Sequence, residues 1–324
     1  FGRIAGGGPR AENLPHHGFG DEKFKGKFDV NYRFKKETGI RIWASYTNDL
    51  DNGKAKQADE DATIDNMFSQ IIRRPNIKQK FIGVNEIKFG VTKDLKNDIS
   101  AQFTVSNTKF DTYQPLPTKK IFSYSEDDII NTEFGFKIRY APGEKKIISH
   151  RKTRKLRSKL PVLELNYAIA VPNIFKSEYQ YHKLNASISQ TFRVPGWGQM
   201  NYMAYGGKTF GEKIPFMMLE VHPGNEIYYY NKNSFNLMNR FEYVSDQYYG
   251  LNFEHNIEKK IINYIPLLRK TKIRQFYNLK SVYGNLTDEN RKFNRTEYGG
   301  YHLRSLKGNY YTEIGTGLEN IFNV

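Results

Sequence analysis

The sequence predicts an all-β fold, an antiparallel up-and-down transmembrane β-barrel. Three observations support this: apolar and polar residues alternate with period two, the alternating segments reach about ten residues, and helical periodicity is scarce. A soluble β-sandwich also alternates, but its strands cluster near five or six residues. Strands of about ten residues match the length that crosses a bilayer at a tilt. The polar positions mix Ser, Thr, Asn, Lys and Glu, as expected for a watery interior.

The first clear strand lies at 27–35. Its even positions, Phe28, Val30, Tyr32 and Phe34, are apolar, and its odd positions are polar. We expect the apolar set to face lipid and the polar set to face inward. The pattern recurs to give about a dozen strands, in segments 40–46, 99–106, 133–140, 163–171, 183–192, 198–208, 238–246, 248–258, 272–284 and 309–322.

One segment has helical periodicity. In Asp61–Arg73, Ile64, Met67, Phe68 and Ile71 are spaced as on one face of a helix. It could be an amphipathic surface helix, a plug, or a short loop helix, and loop statistics favour the last. No apolar segment is long enough for a transmembrane helix.

The chain is strongly basic and lacks cysteine. Among its 324 residues, 50 Lys and Arg stand against 34 Asp and Glu, a net charge of +16. Such a charge predicts an acidic partner. The absence of cysteine excludes disulfides, zinc–thiolate sites and a cysteine nucleophile. Aromatic residues make up 15% of the chain, and Tyr-rich composition suits strands and membrane–water interfaces.

The segment Lys145–Lys159 carries the densest positive charge, with eight Lys or Arg residues. It predicts either a solvated turn between two strands or a patch that binds lipopolysaccharide phosphates. The candidate patch residues are Arg151, Lys152, Arg154, Lys155 and Arg157. We expect no nucleic-acid partner, because the aromatic residues follow strand periodicity instead of forming a separate stacking platform.

The segment Glu220–Asn239 is predicted to be a long loop that folds over or into the barrel lumen, because it is rich in Tyr, Asn and Phe. Its candidate site residues are His222, Pro223, Gly224, Asn225 and Glu226. Glu220, His222 and Glu226 could in principle bind a metal ion, but their spacing favours a structured turn. We therefore expect no metal and no cofactor.

The sequence also argues against an enzyme. His182, Asn185 and Ser189 lie on one predicted strand and could suggest a hydrolytic triad. Their parity places His182 on the opposite face from the other two. We expect a non-enzymatic protein.

Several motifs resemble one protein family. They are KLPVLELNYAIAVPNIFKSEYQYHKLNASISQTF at 159–192, Gly206–Phe210, Leu219–Glu226, Phe235–Asn239, Glu242–Tyr248, Ile265–Lys270 and Glu319–Phe322. They resemble Bacteroidota outer-membrane proteins that carry an N-terminal carboxypeptidase-regulatory-like domain before a C-terminal barrel. The resemblance implies that residues 1–324 are one partial barrel domain of the bacterial outer membrane. It also implies that the N-terminal domain and the last strands are absent, so Val324 should lie near an unpaired edge.

A more distant resemblance links Tyr248–Gly284 to BamA-type assembly barrels. In that comparison, 214–241 takes the place of a long loop that enters the lumen, and Asn239-Arg240-Phe241 is similar to part of an Arg-Gly-Phe or Arg-Gly-Tyr motif. This implies a role for Arg240 as a lumen anchor. It also implies assembly, translocation or transport across the outer membrane, with lipid, lipopolysaccharide and client or accessory outer-membrane proteins as partners. The alternative is a surface binding or structural barrel that acts through its loops and its N-terminal domain.

Overall fold

The computed structural model describes residues 10–17, 24–34, 38–51, 53, 74–78, 80–113, 115–117, 129–148, 153–156, 158, 160–296 and 303–320. For 10–17, 24, 145–148 and 153–156 only the backbone is described. The predicted helix Asp61–Arg73 lies outside these residues, as does Val324. Within the described part of the chain, no helix is long and apolar enough to cross a membrane.

The fold is all-β, as predicted. The strands are β1 Arg10–His17, β2 Phe24–Arg33, β3 Ile40–Asp51, β4 Ile82–Asp94, β5 Ile99–Thr112, β6 Ile129–Tyr140, β7 Lys145–Ile148, β8 Thr153–Leu156, β9 Val162–Ala170, β10 Tyr181–Val194, β11 Gly198–Phe210, β12 Glu220–Val221, β13 Val244–Ser245, β14 Gln247–Glu258, β15 Arg274–Asn285 and β16 Asn309–Glu319. In the part of the chain that the structure describes, a short helix, α1, spans Asp288–Phe293, and 3₁₀ turns lie at Phe216–Met218 and Ile262–Tyr264.

Twelve strands form one antiparallel sheet in the order β1-β2-β3-β4-β5-β6-β9-β10-β11-β14-β15-β16. Each strand pairs with its predecessor in the order, so the sheet is an up-and-down meander. The pairs β7–β8 and β12–β13 form two small separate sheets. Among the described residues, β1 and β16 each have one neighbour, which leaves the sheet open between them.

The two faces of the sheet differ in chemistry. We call the face covered by the β11–β14 connection inner and the other face outer. On the outer face, large apolar side chains are exposed along most strands: Phe28, Tyr32, Tyr46, Ile87, Phe89, Phe103, Phe136, Ile138, Leu163, Leu165, Tyr167, Leu184, Tyr249, Leu251, Tyr277, Tyr310, Ile314 and Leu318. The inner face carries polar groups, including an ion network in which Arg139 bonds Glu144 and Glu164. In β2, Phe28 and Tyr32 lie on the outer face and Lys27 and Asp29 lie on the inner face, which is the predicted division between the two faces.

The core lies against the inner face at one end of the sheet. The connections at this end are long, whereas several at the other end are short. Side chains from strand ends and connections meet there: Ile82, Leu116, Ile129, Ala170, Tyr181, Ile214, Phe216, Met217, Met218, Leu219, Phe241, Val244, Leu286 and Leu303. Full burial of one large apolar side chain stabilises a fold by about 1.5–3 kcal/mol, so this cluster fixes the connections to the wall.

One predicted strand was wrong, and two strands of the main sheet, β1 and β4, were not predicted. Residues 238–246 do not form a strand of the main sheet, because Met238 and Phe241 are buried in the connection and only Val244–Ser245 is extended. In β4 the apolar positions change parity, with Ile82 and Val84 on the inner face against the core and Ile87 and Phe89 exposed on the outer face.

Candidate functional site

The connection between β11 and β14, residues 211–246, packs on the inner face of the sheet; we call it the inner loop. It is far longer than a hairpin turn, and connections of this length in compact domains usually carry function. Phe216, Met217, Met218 and Leu219 are all buried in the core. Exposure of these apolar side chains to water would be unfavourable, so the loop folds against the inner face of the sheet.

The segment His222–Glu226 forms the centre of the inner loop. Asn225 Nδ2 donates to Tyr229 O at 2.8 Å, and Asn225 Oδ1 accepts from Ile227 N at 3.1 Å. Phe235 N donates to Pro223 O at 2.8 Å. A Cβ added to Gly224 would lie 2.1 Å from Asn239 O, so the close backbone approach requires glycine.

Glu226 joins the inner loop to the segment that precedes β4. Its Oε1 lies 3.2 Å from Lys80 Nζ and accepts from Arg240 N at 3.2 Å. Lys80 Nζ also donates to Arg240 O at 2.5 Å. Arg240 thus contributes its backbone to this junction, and its side chain is itself buried. The buried charges of Lys80 and Glu226 are tolerated because the two groups pair with each other and each makes a further hydrogen bond to the backbone of Arg240.

Glu313 of β16 holds the other side of the inner loop. Its carboxylate accepts from Asn236 N at 2.7 Å, Leu237 N at 2.7 Å and Met238 N at 3.2 Å. Tyr311 Oη donates to the same carboxylate at 2.9 Å. A carboxylate that satisfies several neighbouring backbone donors is a strong local anchor, because each bond is charge-assisted.

Two further charged residues on neighbouring strands bind the same part of the loop. Lys280 of β15 donates to Asn231 O at 2.8 Å and to Ser234 O at 2.5 Å. Glu254 of β14 accepts from Tyr230 Oη at 3.0 Å and pairs with Lys232. Burial and the charge of Glu254 raise the pKa of the Tyr230 hydroxyl, which keeps it protonated and able to donate.

His222 is completely buried beside strand β15. Its Nε2 and Ser245 Oγ are 2.8 Å apart, and its Nδ1 has no hydrogen-bond partner. A Cβ on Gly284 would lie 2.3 Å from Ser245 Oγ and 3.0 Å from His222 Nε2, so glycine makes room for the pair. Burial lowers the pKa of His222 to about 4, and the ring is neutral near pH 7.

The side chains considered as metal ligands, among them His222 and Glu226, do not converge on a common point. Glu226 is paired with Lys80, and His222 bonds Ser245. Within the described ranges, no group of three or more His, Asp or Glu side chains is placed to hold a metal ion. The residues of the possible hydrolytic triad do not share a face either. His182 Nδ1 bonds Tyr167 Oη on the outer face, whereas Asn185 Oδ1 accepts from Tyr248 Oη on the inner face.

The basic patch lies largely beyond what the structure describes. Arg151, Lys152 and Arg157 are outside the described residues, and only the backbone of Arg154 and Lys155 is described, in β8. The hairpin β7–β8 occupies the predicted position between β6 and β9. Binding of lipopolysaccharide phosphate there stays a prediction.

The loop anchors on the strands were not predicted. These anchors are all at most 8% exposed: Lys80, Glu254, Lys280 and Glu313. In the sequence, the three on strands look like any other polar strand residue, and Lys80 lies just before β4. In the structure, Glu254, Lys280 and Glu313 all lie on the inner face of the sheet. Their specific partners in the inner loop could not be found from spacing, because that loop has no regular period.

A meandering sheet with an apolar outer face and a long connection packed on its inner face defines the β-barrel class of fold. The crystal structure of BamA from Haemophilus ducreyi lacking POTRA domains 1–3 is similar to it, with a TM-score of 0.53 and 10% sequence identity. The match covers 91% of this chain and 55% of that chain, so the chain spans about half the length of that relative.

The chain belongs to the family of unknown function DUF5686, whose C-terminal domain model matches residues 11–300. No curated protein matches it. The similarity to BamA, at this low identity, shows the fold alone, and the family description names no activity.

Proposed function

We propose that this domain is a non-enzymatic β-barrel of the bacterial outer membrane with a role in assembly, translocation or transport. One observation carries the proposal: the exposed side chains of the outer face are apolar along most strands, while the inner face is polar and holds a folded loop. A water-soluble protein places its apolar face in a core, whereas a membrane barrel turns it toward lipid. Each strand between the two edges of the sheet is hydrogen-bonded to a neighbour on both sides, as lipid requires of a membrane-spanning sheet.

The similarity to BamA supports the finer part of the proposal by analogy of fold. Motifs of the chain also resemble Bacteroidota proteins in which a carboxypeptidase-regulatory-like domain precedes the barrel. In such a protein, the domain would present substrates or partners at the periplasmic side. Outer-membrane lipid and client or accessory outer-membrane proteins are the expected partners.

The inner loop favours a second candidate function. Tyr228, Tyr229 and Leu237 are more than half exposed although the loop that carries them is anchored by buried charges. Rigidly presented aromatic side chains are typical of binding surfaces. A barrel that binds a partner through these residues, without moving a substrate, would use the same architecture.

Depletion of the full-length protein from its own bacterium separates the two functions. An assembly or translocation role predicts that folded outer-membrane proteins become scarcer in the outer-membrane fraction, measured by quantitative proteomics and by heat-modifiable migration. A loop-mediated binding role predicts an unchanged outer-membrane proteome, with loss of a specific partner when Tyr228 and Tyr229 are replaced by Ser. Recovery of the protein in the soluble fraction would refute both.

A further inference from the structure

The connection between β14 and β15, residues 259–273, is folded and carries both exposed apolar and exposed basic side chains; we call it the basic turn. It lies at the end of the sheet opposite the core. Short turns usually occupy one end of a barrel, and this segment is longer than a tight hairpin requires. Its additional residues need a separate physical explanation.

The basic turn has a defined internal structure. Backbone N–H groups of Asn263, Tyr264 and Leu268 donate to Lys259, Ile261 and Ile265 at 2.8, 3.1 and 3.0 Å. Ile262 and Ile273 are buried, and Lys259 Nζ donates to Thr271 O. The exposed side chains are therefore presented from an ordered element.

Large apolar side chains of this ordered element face solvent. Tyr264 and Leu267 are each 84% exposed, and Ile261 and Ile265 are also exposed. Single exposed apolar residues are ordinary, but four within seven residues form a patch that marks an interaction site.

Basic side chains surround the patch. Lys260, Arg269, Lys270, Lys272 and Arg274 are exposed, and none has a carboxylate partner among the described residues. Lys260 Nζ lies 3.3 Å from the ring centroid of Trp197, whose backbone oxygen accepts from His255 Nε2 on the outer face. The patch is thus continuous with the apolar outer face of the sheet.

We propose that the basic turn docks into the headgroup region of the adjoining leaflet and binds the phosphates of anionic phospholipids. The inference rests on the membrane placement proposed above. Apolar side chains beside Lys and Arg are the chemistry of elements that lie in the membrane interface. Anionic headgroups complement the positive rim, and each basic residue near such a surface adds to the attraction.

Single-cysteine variants of the full chain test this placement, since the natural sequence has no cysteine. Leu267→Cys reports on the basic turn, Leu165→Cys on the outer face, and Glu289→Cys, at an exposed position of α1, on the opposite end of the sheet. Each is labelled with a fluorophore and reconstituted into phosphatidylcholine vesicles that contain phosphatidylglycerol. We expect the label at 267 to be quenched by headgroup-region spin-labelled lipid and protected from iodide.

The three labels separate the possible failures. If the label at 165 contacts lipid while that at 267 is as open to iodide as that at 289, the docking proposal is overturned and a protein partner becomes the explanation of the patch. If the labels at 165 and 267 are both aqueous, the membrane placement itself fails.

A charge-removal variant tests the role of the phosphates. In the 267-labelled chain, Lys260→Gln, Arg269→Gln, Lys270→Gln and Lys272→Gln should lower the ratio of lipid-contacting to aqueous label by up to about fivefold per charge. The matched control removes four exposed charges at the opposite end: Lys213→Gln, Lys292→Gln, Arg295→Gln and Lys307→Gln. Equal ratios for both variants, or no dependence on phosphatidylglycerol, would overturn the assignment to anionic headgroups.

Discussion

Lys80 Nζ lies 3.2 Å from Glu226 Oε1, and both side chains are at most 3% exposed. The two residues are 146 positions apart in the chain. Since Lys80 lies two residues before β4, which is eight strands from β16 in the sheet order, the pair and Glu313 hold the inner loop from two sides. The loop is therefore a fixed part of the barrel interior.

Loss of one member of the Lys80–Glu226 pair should destabilise the fold strongly. Lys80→Met leaves the Glu226 carboxylate buried without its cation, which typically costs about 3–5 kcal/mol. Glu226→Gln should cost a similar amount, because the Lys80 ammonium then lacks its counter-charge. The free energy of unfolding, measured by urea titration in lipid vesicles, gives the effect.

The double variant Lys80→Met/Glu226→Gln, which combines the two single substitutions, is the control for that prediction. It removes both charges together, so its stability should lie much closer to the natural protein than that of either single variant. Additive losses in the double-mutant cycle would show that the two groups do not interact.

Replacement of Glu313 should release the middle of the inner loop. Glu313→Gln keeps the size of the side chain but removes the charge, and a hydrogen bond to a charged group contributes roughly 1.5–3 kcal/mol. Hydrogen exchange at the amides of Asn236, Leu237 and Met238 should accelerate. Glu212→Gln, on an exposed part of the same loop, should leave these rates unchanged.

The strand pattern was largely predictable because the outer face has one environment. Apolar outer-face residues therefore alternate with polar inner-face residues, as in β2 and in 184–188 of β10. The inner face has two environments, polar along most of the wall and apolar beside the core. β4 crosses from one to the other, so its apolar residues change parity between Val84 and Ile87 and the alternation disappears from the sequence.

The interior of the inner loop was not predictable for a different reason. Segment 238–246 has the residue types of a strand, but Met238 packs with Phe235, Val282 and Leu306, and Phe241 is part of the main core. Its backbone donors bond Glu313 and Glu226 instead of a neighbouring strand. Such tertiary partners leave no periodic signal.

Acidification should destabilise the packing of the inner loop through His222. Burial lowers the pKa of His222 to about 4, whereas a solvated histidine titrates near 6.5. The unfolded chain therefore binds a proton before the folded chain does, and stability that is complete above pH 6.5 is lost as the pH falls towards 4. At pH 5 the loss should be about 2 kcal/mol.

Comparison with His222→Gln isolates this contribution. The amide of Gln can bond Ser245 but does not titrate, so the difference in unfolding free energy between pH 7.5 and pH 5 should shrink by about 2 kcal/mol in the variant. An identical pH dependence in both proteins would assign the effect to other groups.

A pair of adjacent residues near the middle of β10 tests which face of the sheet meets lipid. Ile188 lies on the outer face opposite Leu163, and Ser187 lies on the inner face opposite Glu164. If the outer face contacts the bilayer, Ile188→Arg should lower the free energy of unfolding in vesicles by about 2–4 kcal/mol. Ser187→Arg places the same charge beside the Glu164 carboxylate in a polar interior and should cost far less. Equal costs for the two variants, or a larger cost for Ser187→Arg, would contradict the assignment of the outer face to lipid.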